Sequence, residues 1–375
     1  FAMTVSGNKE KLQLKNILIG DVWIGSGQSN MEWPLFNTKK GAESIENSAN
    51  SRIRLFTVEK DMAANPESDI TTTGWHVSSP ESSPNFSAVA YHFGKQINKD
   101  LDIPIGLIHS SWGGTDIVTW MSWEGLTAVD GFENLNKSEY VEQASKSKEM
   151  MDKYQAALAK EPGMAAKWYS LSSDQYSAWD DIELPKIWES TKIGNEDGII
   201  WFAKSFELTE DQLADASLSL GPIDDIDDTY INGQLIGHLE DWTLPRNYRV
   251  AKSQLRAGTN WLVVRVTDGT GGGGLYGKPE DLVLKVGRST ISLAGAWKYK
   301  PAVLSSTYGG PAKGPNDFPT CLYNAMIAPI TDLPIKGVIW YQGENNTRNP
   351  QQYQDLFPSM ILDWREQFGQ DMPFI

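Results

Sequence analysis

Residues 17–25 of the 375-residue chain read ILIGDVWIG, and residues 26–31 continue as SGQSNM. The first stretch is almost continuously apolar, as is typical of a strand buried on both faces of a parallel sheet. Further apolar runs alternate with helical patterns along the chain, at 53–58, 83–99, 104–109, 138–160, 335–341 and 350–368. This alternation of strand and helix predicts a layered α/β fold.

The sequence pattern changes between residues 171 and 300, where short β-type runs are separated by turn residues. Asn232-Gly233 inside one of these runs is a strong hairpin signal. We therefore expect a β-sandwich inserted into the α/β domain. The predicted domains are a remnant of an amino-terminal β-domain (1–14), the first part of the core (15–170), the insert (171–300), and the second part of the core (301–375), which is expected to stop before its last strands.

Composition narrows the class of partner. The 48 acidic residues outnumber the 33 basic ones, and a net charge of −15 repels nucleic acid and anionic lipid surfaces. No apolar run approaches the roughly 20 residues that a membrane span needs. The single cysteine, Cys321, excludes an internal disulfide and an all-thiolate metal site. The chain has fifteen tryptophans, whose flat indole rings can pack against sugar rings as well as in a protein core.

Ser29 is the candidate nucleophile, because it follows a buried strand at the start of a helix, where backbone N–H groups can stabilise an oxyanion. Alternatively, the Ser29 side chain has a structural role and only caps the following turn. Met31 stands where a Gly-x-Ser-x-Gly elbow needs its second glycine, which argues against an α/β-hydrolase. Two more loops that follow predicted strands, at 113–115 and 342–344, are expected at the same sheet edge.

Three motifs, GQSNM at 27–31, SSWGGT at 110–115 and WYQGE at 340–344, resemble the sialate O-acetylesterase family of the SGNH hydrolase superfamily. Residues 228–233 and 271–281 look like the inserted domain of that family. The resemblance implies a three-layer α/β/α, flavodoxin-like core with a galactose-binding-like jelly-roll insert, and no metal or organic cofactor. It implies that Ser29 is the nucleophile, and that the oxyanion hole contains an N–H of Gly113 or Gly114 and the amide of Gln342. Trp112, Asn30 and Glu344 are the candidate substrate-binding residues.

The general base expected from this resemblance is not evident in the sequence. The family uses an Asp-x-x-His or Asp-x-His motif, and no Asp stands two or three positions before any of the four histidines, His76, His92, His109 and His238. We expect the base and its orienting Asp beyond Ile375, on a further segment or a second chain. Residues 1–375 alone are then expected to show negligible esterase activity.

The function implied is removal of acetyl groups from O-acetylated sialoglycans or free sialic acid, at an extracytoplasmic site. Two alternatives stay open: deacetylation of another glycan such as acetylxylan, and glycan binding without catalysis. A glycosidase that pairs Glu344 with Asp21 or Asp116 is disfavoured, because the chain lacks eight βα units.

Two further motifs are interpreted as structural. The acidic residues at 224–228 lack the spacing of a calcium loop and are expected to form a solvated turn. The four glycines at 271–274 lack the Gly-Lys-Ser/Thr of a phosphate loop.

Overall fold

The computed structural model describes residues 1–7, 10–269, 271–309 and 313–375. The chain divides into two compact units. The first unit combines Phe1–Lys148 with Lys313–Ile375, and the second is Glu149–Ala312.

The strands of the described residues are, in chain order, β1 (Met3–Ser6), β2 (Lys11–Leu14), β3 (Asp21–Gly27), β4 (Asn50–Val58), β5 (Thr72–Ser78), β6 (Ile105–Ser111), β7 (Asp180–Leu184), β8 (Gly198–Leu208), β9 (Ala216–Asp224), β10 (Ile226–Ile231), β11 (Gln234–Glu240), β12 (Pro245–Val250), β13 (Gly258–Asp268), β14 (Gly274–Leu275), β15 (Leu282–Val286), β16 (Ser289–Ser292), β17 (Gly295–Leu304) and β18 (Gly337–Tyr341). The α-helices are α1 (Ser29–Glu32), α2 (Gly41–Glu46), α3 (Ala88–Leu101), α4 (Trp123–Thr127), α5 (Lys137–Leu158), α6 (Pro162–Ala165), α7 (Ser173–Ser177) and α8 (Pro350–Phe368). A π-helical turn at Tyr323–Ile327 and a 3₁₀ turn at Ala328–Ile330 form the helix predicted near 319–330.

The first unit is an α/β sheet with the strand order β18-β3-β6-β4-β5. The first four strands are parallel, and β5 pairs antiparallel with β4. Trp23 and Leu107 pack on the same side as Tyr91 of α3. Ile339 of β18 packs on that same α3 side. The next residue, Trp340, packs against Trp364 of α8, with ring centroids 5.8 Å apart. Since successive strand residues point to opposite faces, the sheet is covered by helices on both sides.

The observed strand order differs from the flavodoxin-like order, in which the first parallel strand lies between the second and the third. Here β6 lies between β3 and β4. The central position suits β6, because nearly all of its residues are buried and none is Asp, Glu, Lys or Arg, whereas β4 carries Arg52 and Arg54 and is only partly buried. The carboxyl end of β3 then lies between the ends of β6 and β18.

Two element boundaries of the first unit also differ from the prediction. The strand predicted to begin at Ile17 begins at Asp21, and Ile19 is 75% exposed, because β3 starts where its register with Ile105 begins. The helix predicted to open at 83–84 starts at Ala88, where the Ser87 hydroxyl accepts a hydrogen bond from the Ala90 N–H and caps it.

The two ends of the described chain are extended, as expected. The strands β1 and β2 form an exposed antiparallel hairpin. Phe374 forms a parallel bridge to Val338 of β18, supported by a hydrogen bond of 2.9 Å from the Trp340 N–H to the Ile375 carbonyl.

The second unit is a β-sandwich of two sheets. The strand order of the six-stranded sheet is β11-β10-β13-β8-β17-β7, and that of the other sheet is β12-β9-β15-β16. Its core combines Phe202 and Val264 of the first sheet with Leu218 and Leu284 of the second. The predicted turn joins β10 to β11, with Asn232 and Gly233 at φ 48° and 84°, as such a hairpin requires.

This unit extends beyond the 171–300 expected for the insert on both sides. Trp168, Tyr176 and Trp179 pack with Trp201 and Trp261 of the six-stranded sheet. These aromatic residues directly precede β7, and their burial against β8 and β13 assigns their segment to the sandwich rather than to the core.

The solvated turn expected at 224–228 is wrong for Asp227. This carboxylate is fully buried in β10 and accepts a 2.7 Å hydrogen bond from the equally buried Arg246 guanidinium. Tyr248 and Thr229 donate to it as well. Strand alternation points Asp227 inward, and the arginine compensates the buried charge.

Candidate functional site

Three loops meet at the carboxyl edge of the parallel sheet. The register aligns Gly27 with Tyr341 on one side and with Ser111 on the other. The Gln28 N–H donates to the Tyr341 carbonyl at 3.0 Å, and the Trp112 N–H donates to the Gly27 carbonyl at 3.1 Å. The loops that contain Ser29, Gly113 and Gln342 therefore start side by side.

Gly27 makes this approach possible. Its φ is 136°, and a Cβ at this position would lie 2.1 Å from the Tyr341 carbonyl oxygen. A side chain here would push β18 away from β3, so the loop before Ser29 needs a glycine for backbone geometry and for space.

Ser29 is exposed at the first position of α1. The N-cap of this short helix is Gln28, which makes no side-chain cap. Ser29 therefore does not cap the helix, and its structural alternative as an N-cap is wrong. The Gln28 side chain instead ties two loops together, since its Oε1 accepts from the Gly343 and Asn345 N–H groups at 3.4 and 3.2 Å.

Gly113 is the glycine of the pair that lies against Ser29. A Cβ built on Gly113 would be 3.4 Å from the Ser29 Cβ, whereas nothing lies within 4 Å of the same position on Gly114. The geometry therefore favours Gly113 as the amide beside the hydroxyl.

The Gly113 N–H is already engaged by a carboxylate. It donates to Glu32 Oε2 at 2.6 Å, and the other carboxylate oxygen accepts from Lys60 Nζ at 2.5 Å. Lys60 Nζ also lies 5.5 Å from the centre of the Trp112 ring. An anionic oxygen thus occupies the donor predicted to hold the oxyanion.

Gln342 lies at the same edge with both hydrogens of its amide nitrogen engaged. Nε2 donates to the Thr115 carbonyl at 3.0 Å and to Asn346 Oδ1 at 2.6 Å. Its Oε1 is buried and finds no partner among the residues that the structure describes. In this arrangement Gln342 braces the loop after β6, and one of these bonds must break before the amide can face an oxyanion.

The remaining predicted residues hold the rim together. Asn30 Nδ2 donates to Glu344 Oε1, which agrees with a bracing role for Glu344. The Asp116 carboxylate accepts hydrogen bonds from the Asn345 side-chain amide at 2.6 Å and from the Arg348 guanidinium at 2.9 Å. Both donors belong to the loop after β18. Asp21 stands at the opposite end of β3, so it cannot supply the second carboxylate of a glycosidase with Glu344.

A cavity of about 640 Å³ opens beside Ser29, in the size range of small-molecule sites. Glu32, Lys60, His109 and the exposed Trp33 line it. It therefore combines a hydroxyl, an ion pair and an apolar wall at the edge where the three loops meet.

His109 is the histidine that reaches this cavity, which the sequence did not indicate. Its Nε2 lies 2.6 Å from Ser111 Oγ, and burial lowers the pKa of the imidazole to about 4. His109 is therefore neutral at physiological pH, and it is a weak base.

The other histidines lie elsewhere in the chain. His76 and His92 reach the surface, and partial desolvation of the His92 ring, together with the charge of Lys95, lowers the pKa of that imidazole. His238 of the sandwich binds Asp228 at 2.9 Å, which raises the pKa of its imidazole.

Within the residues that the structure describes, no three His, Cys, Asp or Glu side chains are arranged to hold a metal ion. No helix there has the length and apolar character to cross a bilayer.

Glu32 and Lys60 line the cavity but were not among the residues predicted from the sequence. Glu32 carried a signal, since it stands three residues after Ser29 and thus on the same side of a helical turn. Lys60 follows β4, and nothing in the sequence pairs it with α1.

Comparison with known proteins confirms the resemblance to sialate O-acetylesterases. The chain is 37% identical to the sialate O-acetylesterase of Rattus norvegicus over 127 residues, which are 31% of this chain and 23% of that protein. It is 34% identical to the sialate O-acetylesterase of Homo sapiens over 125 residues, 31% of this chain and 24% of that protein. The chain thus spans about a quarter of the length of these relatives. No family model matches it.

Solved structures resemble the chain more distantly. A carbohydrate acetylesterase from Xanthomonas citri aligns over 100% of this chain and 45% of its own, with 20% identity and a TM-score of 0.49. A β-glucuronidase from Ruminococcus gnavus aligns over 38% of this chain and 26% of its own, with 18% identity and a TM-score of 0.26.

Proposed function

We propose that this chain carries the nucleophile and the oxyanion site of a carbohydrate esterase that removes acetyl groups from sugar hydroxyls. O-acetylated sialic acid, free or in a glycan, is the preferred substrate, on the strength of the similarity to sialate O-acetylesterases. We place the enzyme outside the cytoplasm and assign the sandwich to the jelly-roll insert of an SGNH-type core.

One observation carries the proposal. An exposed serine stands at the start of a helix, and the amide-bearing loop of Gly113 lies against it at the carboxyl edge of a parallel sheet. Ligands of open α/β sheets bind at this edge. A nucleophile with backbone N–H groups beside it is the arrangement that acyl transfer requires.

In the proposed reaction, Ser29 Oγ attacks the acetyl carbonyl carbon and loses its proton to a general base. The carbonyl oxygen becomes an oxyanion held by the N–H groups of Ser29 and Gly113 and by the Gln342 amide. The sugar oxygen leaves with the proton from the base, and the acetyl group stays on Ser29. Water then attacks the ester with the same base, releases acetate and restores the hydroxyl.

We assign the base to a His and Asp outside residues 1–375, on a further segment or a second chain. His109 lines the cavity, but it binds Ser111, and its lowered pKa makes it a poor proton acceptor at neutral pH. A serine hydroxyl needs a base within hydrogen-bond reach to become a strong nucleophile.

Labelling with a neutral fluorophosphonate tests the proposal. The reagent should add to Ser29 in the full-length protein, as peptide mass spectrometry would show, and Ser29→Ala should abolish the adduct. Ser111→Ala is the matched control, because Ser111 lines the same cavity beside a histidine, and this variant should still be labelled. Loss of the adduct in Ser111→Ala, with retention in Ser29→Ala, would move the nucleophile to Ser111.

A substrate panel separates the alternatives. Faster release of acetate from O-acetylated sialic acid than from acetylxylan supports the sialate assignment, and the reverse order supports the xylan alternative. Glycan binding without any serine adduct supports the binding-protein alternative.

A further inference from the structure

The cavity beside Ser29 holds an ion pair that is accessible to solvent. The Glu32 and Lys60 side chains are 31% and 43% exposed and meet at 2.5 Å. Both residues line the same cavity as Ser29. A ligand that enters the cavity therefore meets a cation that is partly exposed and is paired with a partly exposed carboxylate.

The Glu32 carboxylate bridges this cation and the Gly113 amide. One oxygen accepts from Lys60, and the other accepts from the Gly113 N–H at 2.6 Å. An acetyl carbonyl that reacts with Ser29 needs that N–H for its developing negative charge. Glu32 must therefore withdraw from Gly113 before the donor can serve catalysis.

A carboxylate on the ligand can take the place of Glu32 on Lys60. The exchange replaces one ammonium–carboxylate pair by another, so Lys60 keeps an anionic partner. Glu32 then lies beside a second carboxylate without its cation, and like-charge repulsion favours withdrawal of its partly exposed side chain from the site and from the Gly113 N–H. A neutral ligand offers Lys60 nothing in return.

We infer that Lys60 is a specificity residue that binds the carboxylate of an anionic acetylated sugar, and that Glu32 is the internal anion which this carboxylate displaces from the Gly113 amide. The inference rests on the proposed function, which names the sugar, and extends it to residues that recognise charge.

Binding of two matched ligands tests the inference. N-acetylneuraminate and its methyl ester differ in the negative charge of one group. Calorimetry on the full-length protein should show that the acid binds about 2- to 5-fold more tightly than the ester, as expected for one partly exposed ion pair. In Lys60→Met the two affinities should become equal.

Two control variants separate a local contact from a general charge effect. Lys95→Met removes another lysine that lies 5.5 Å over an aromatic ring, on α3, and should keep the preference for the acid. Glu32→Gln should bind the acid more tightly than the parent, because a neutral amide competes less for Lys60. Glu59→Gln removes another negative charge from the cavity lining and should change the ratio less than Glu32→Gln.

An unchanged preference in Lys60→Met, or weaker acid binding in Glu32→Gln, would overturn the inference. Failure of the parent protein to prefer the acid would also overturn it. Fluorophosphonate labelling of Ser29, which involves no ligand carboxylate, reports on the proposed function separately. An adduct on Ser29 together with an unchanged preference in Lys60→Met would leave the esterase standing and refute the role of Lys60.

Discussion

Replacing Asp268 by Asn should stabilise the second unit above neutral pH. Asp268 ends β13, and both of its carboxylate oxygens are buried without a hydrogen-bond partner among the described residues. Burial, together with the nearby carboxylates of Asp197, Asp225 and Asp224, raises the pKa of Asp268 to about 8. The folded protein therefore holds a proton here at pH 7.

The sign of the effect follows from proton linkage. An unfolded Asp ionises near pH 3.9, so between about pH 4 and pH 8 the folded state binds a proton that the unfolded state has lost. The free energy of unfolding therefore falls as the pH rises through this window. With about 1.4 kcal/mol for each pKa unit, the full loss above pH 8 is on the order of 6 kcal/mol as an upper bound.

Denaturant unfolding of the parent and of Asp268→Asn between pH 5 and pH 9 measures this loss. The variant should lose less stability than the parent as the pH rises, and the difference should grow up to about pH 8. Asp211→Asn, at an exposed carboxylate of the same unit, should follow the parent. Parallel curves for the parent and Asp268→Asn would refute a buried proton at this site.

Three further substitutions test the site and the fold. Gln342→Ala should lower turnover on the order of 10²-fold if its amide holds the oxyanion; unchanged kinetics in the complete enzyme would remove it from that role. Gly27→Ala should lower the melting temperature and prevent labelling of Ser29, because its Cβ would collide with the Tyr341 carbonyl, whereas Gly131→Ala, at a positive φ in open space, should keep the labelling. Asp227→Ala should destabilise the sandwich by about 3–5 kcal/mol, because it leaves Arg246 charged and buried. The control Asp181→Ala removes an exposed partner of Lys298 and should change stability far less in chemical denaturation. Equal losses in the two Asp variants would contradict the buried ion pair.

Elements with local signals were predicted closely. The helix predicted at 350–368 is α8, Pro350–Phe368, because proline at its first position and Gly369 in the left-handed conformation after its end are signals within the sequence itself. The hairpin turn at Asn232-Gly233 is another such case. The α/β class likewise follows from the alternation of strands and helices.

Features that depend on distant pairing were not predictable. The apolar run from Ile17 suggested an earlier strand, but the start of β3 depends on its register with β6, more than 80 residues later along the chain. The flavodoxin-like order was wrong because it depends on whether β4 or β6 pairs with β3, which is a contact between distant parts of the chain. The inward direction of Asp227 likewise depends on Arg246, which pairs with it across the sandwich.

The same limit applies to the candidate site. The motifs identified the three loops that meet at the sheet edge, because each motif spans the carboxyl end of a strand. They did not reveal that Glu32 occupies the Gly113 N–H or that Gln342 is held by Thr115 and Asn346. These contacts join side chains and loops from separate parts of the chain.

A crystal structure of the full-length protein after reaction with a methyl fluorophosphonate tests the central claim most directly. The account predicts phosphorus bonded to Ser29 Oγ, a phosphoryl oxygen within about 3 Å of the Gly113 nitrogen, and the Glu32 carboxylate displaced from it. An adduct on another residue, or a phosphoryl oxygen that points away while Glu32 still binds Gly113, would contradict it.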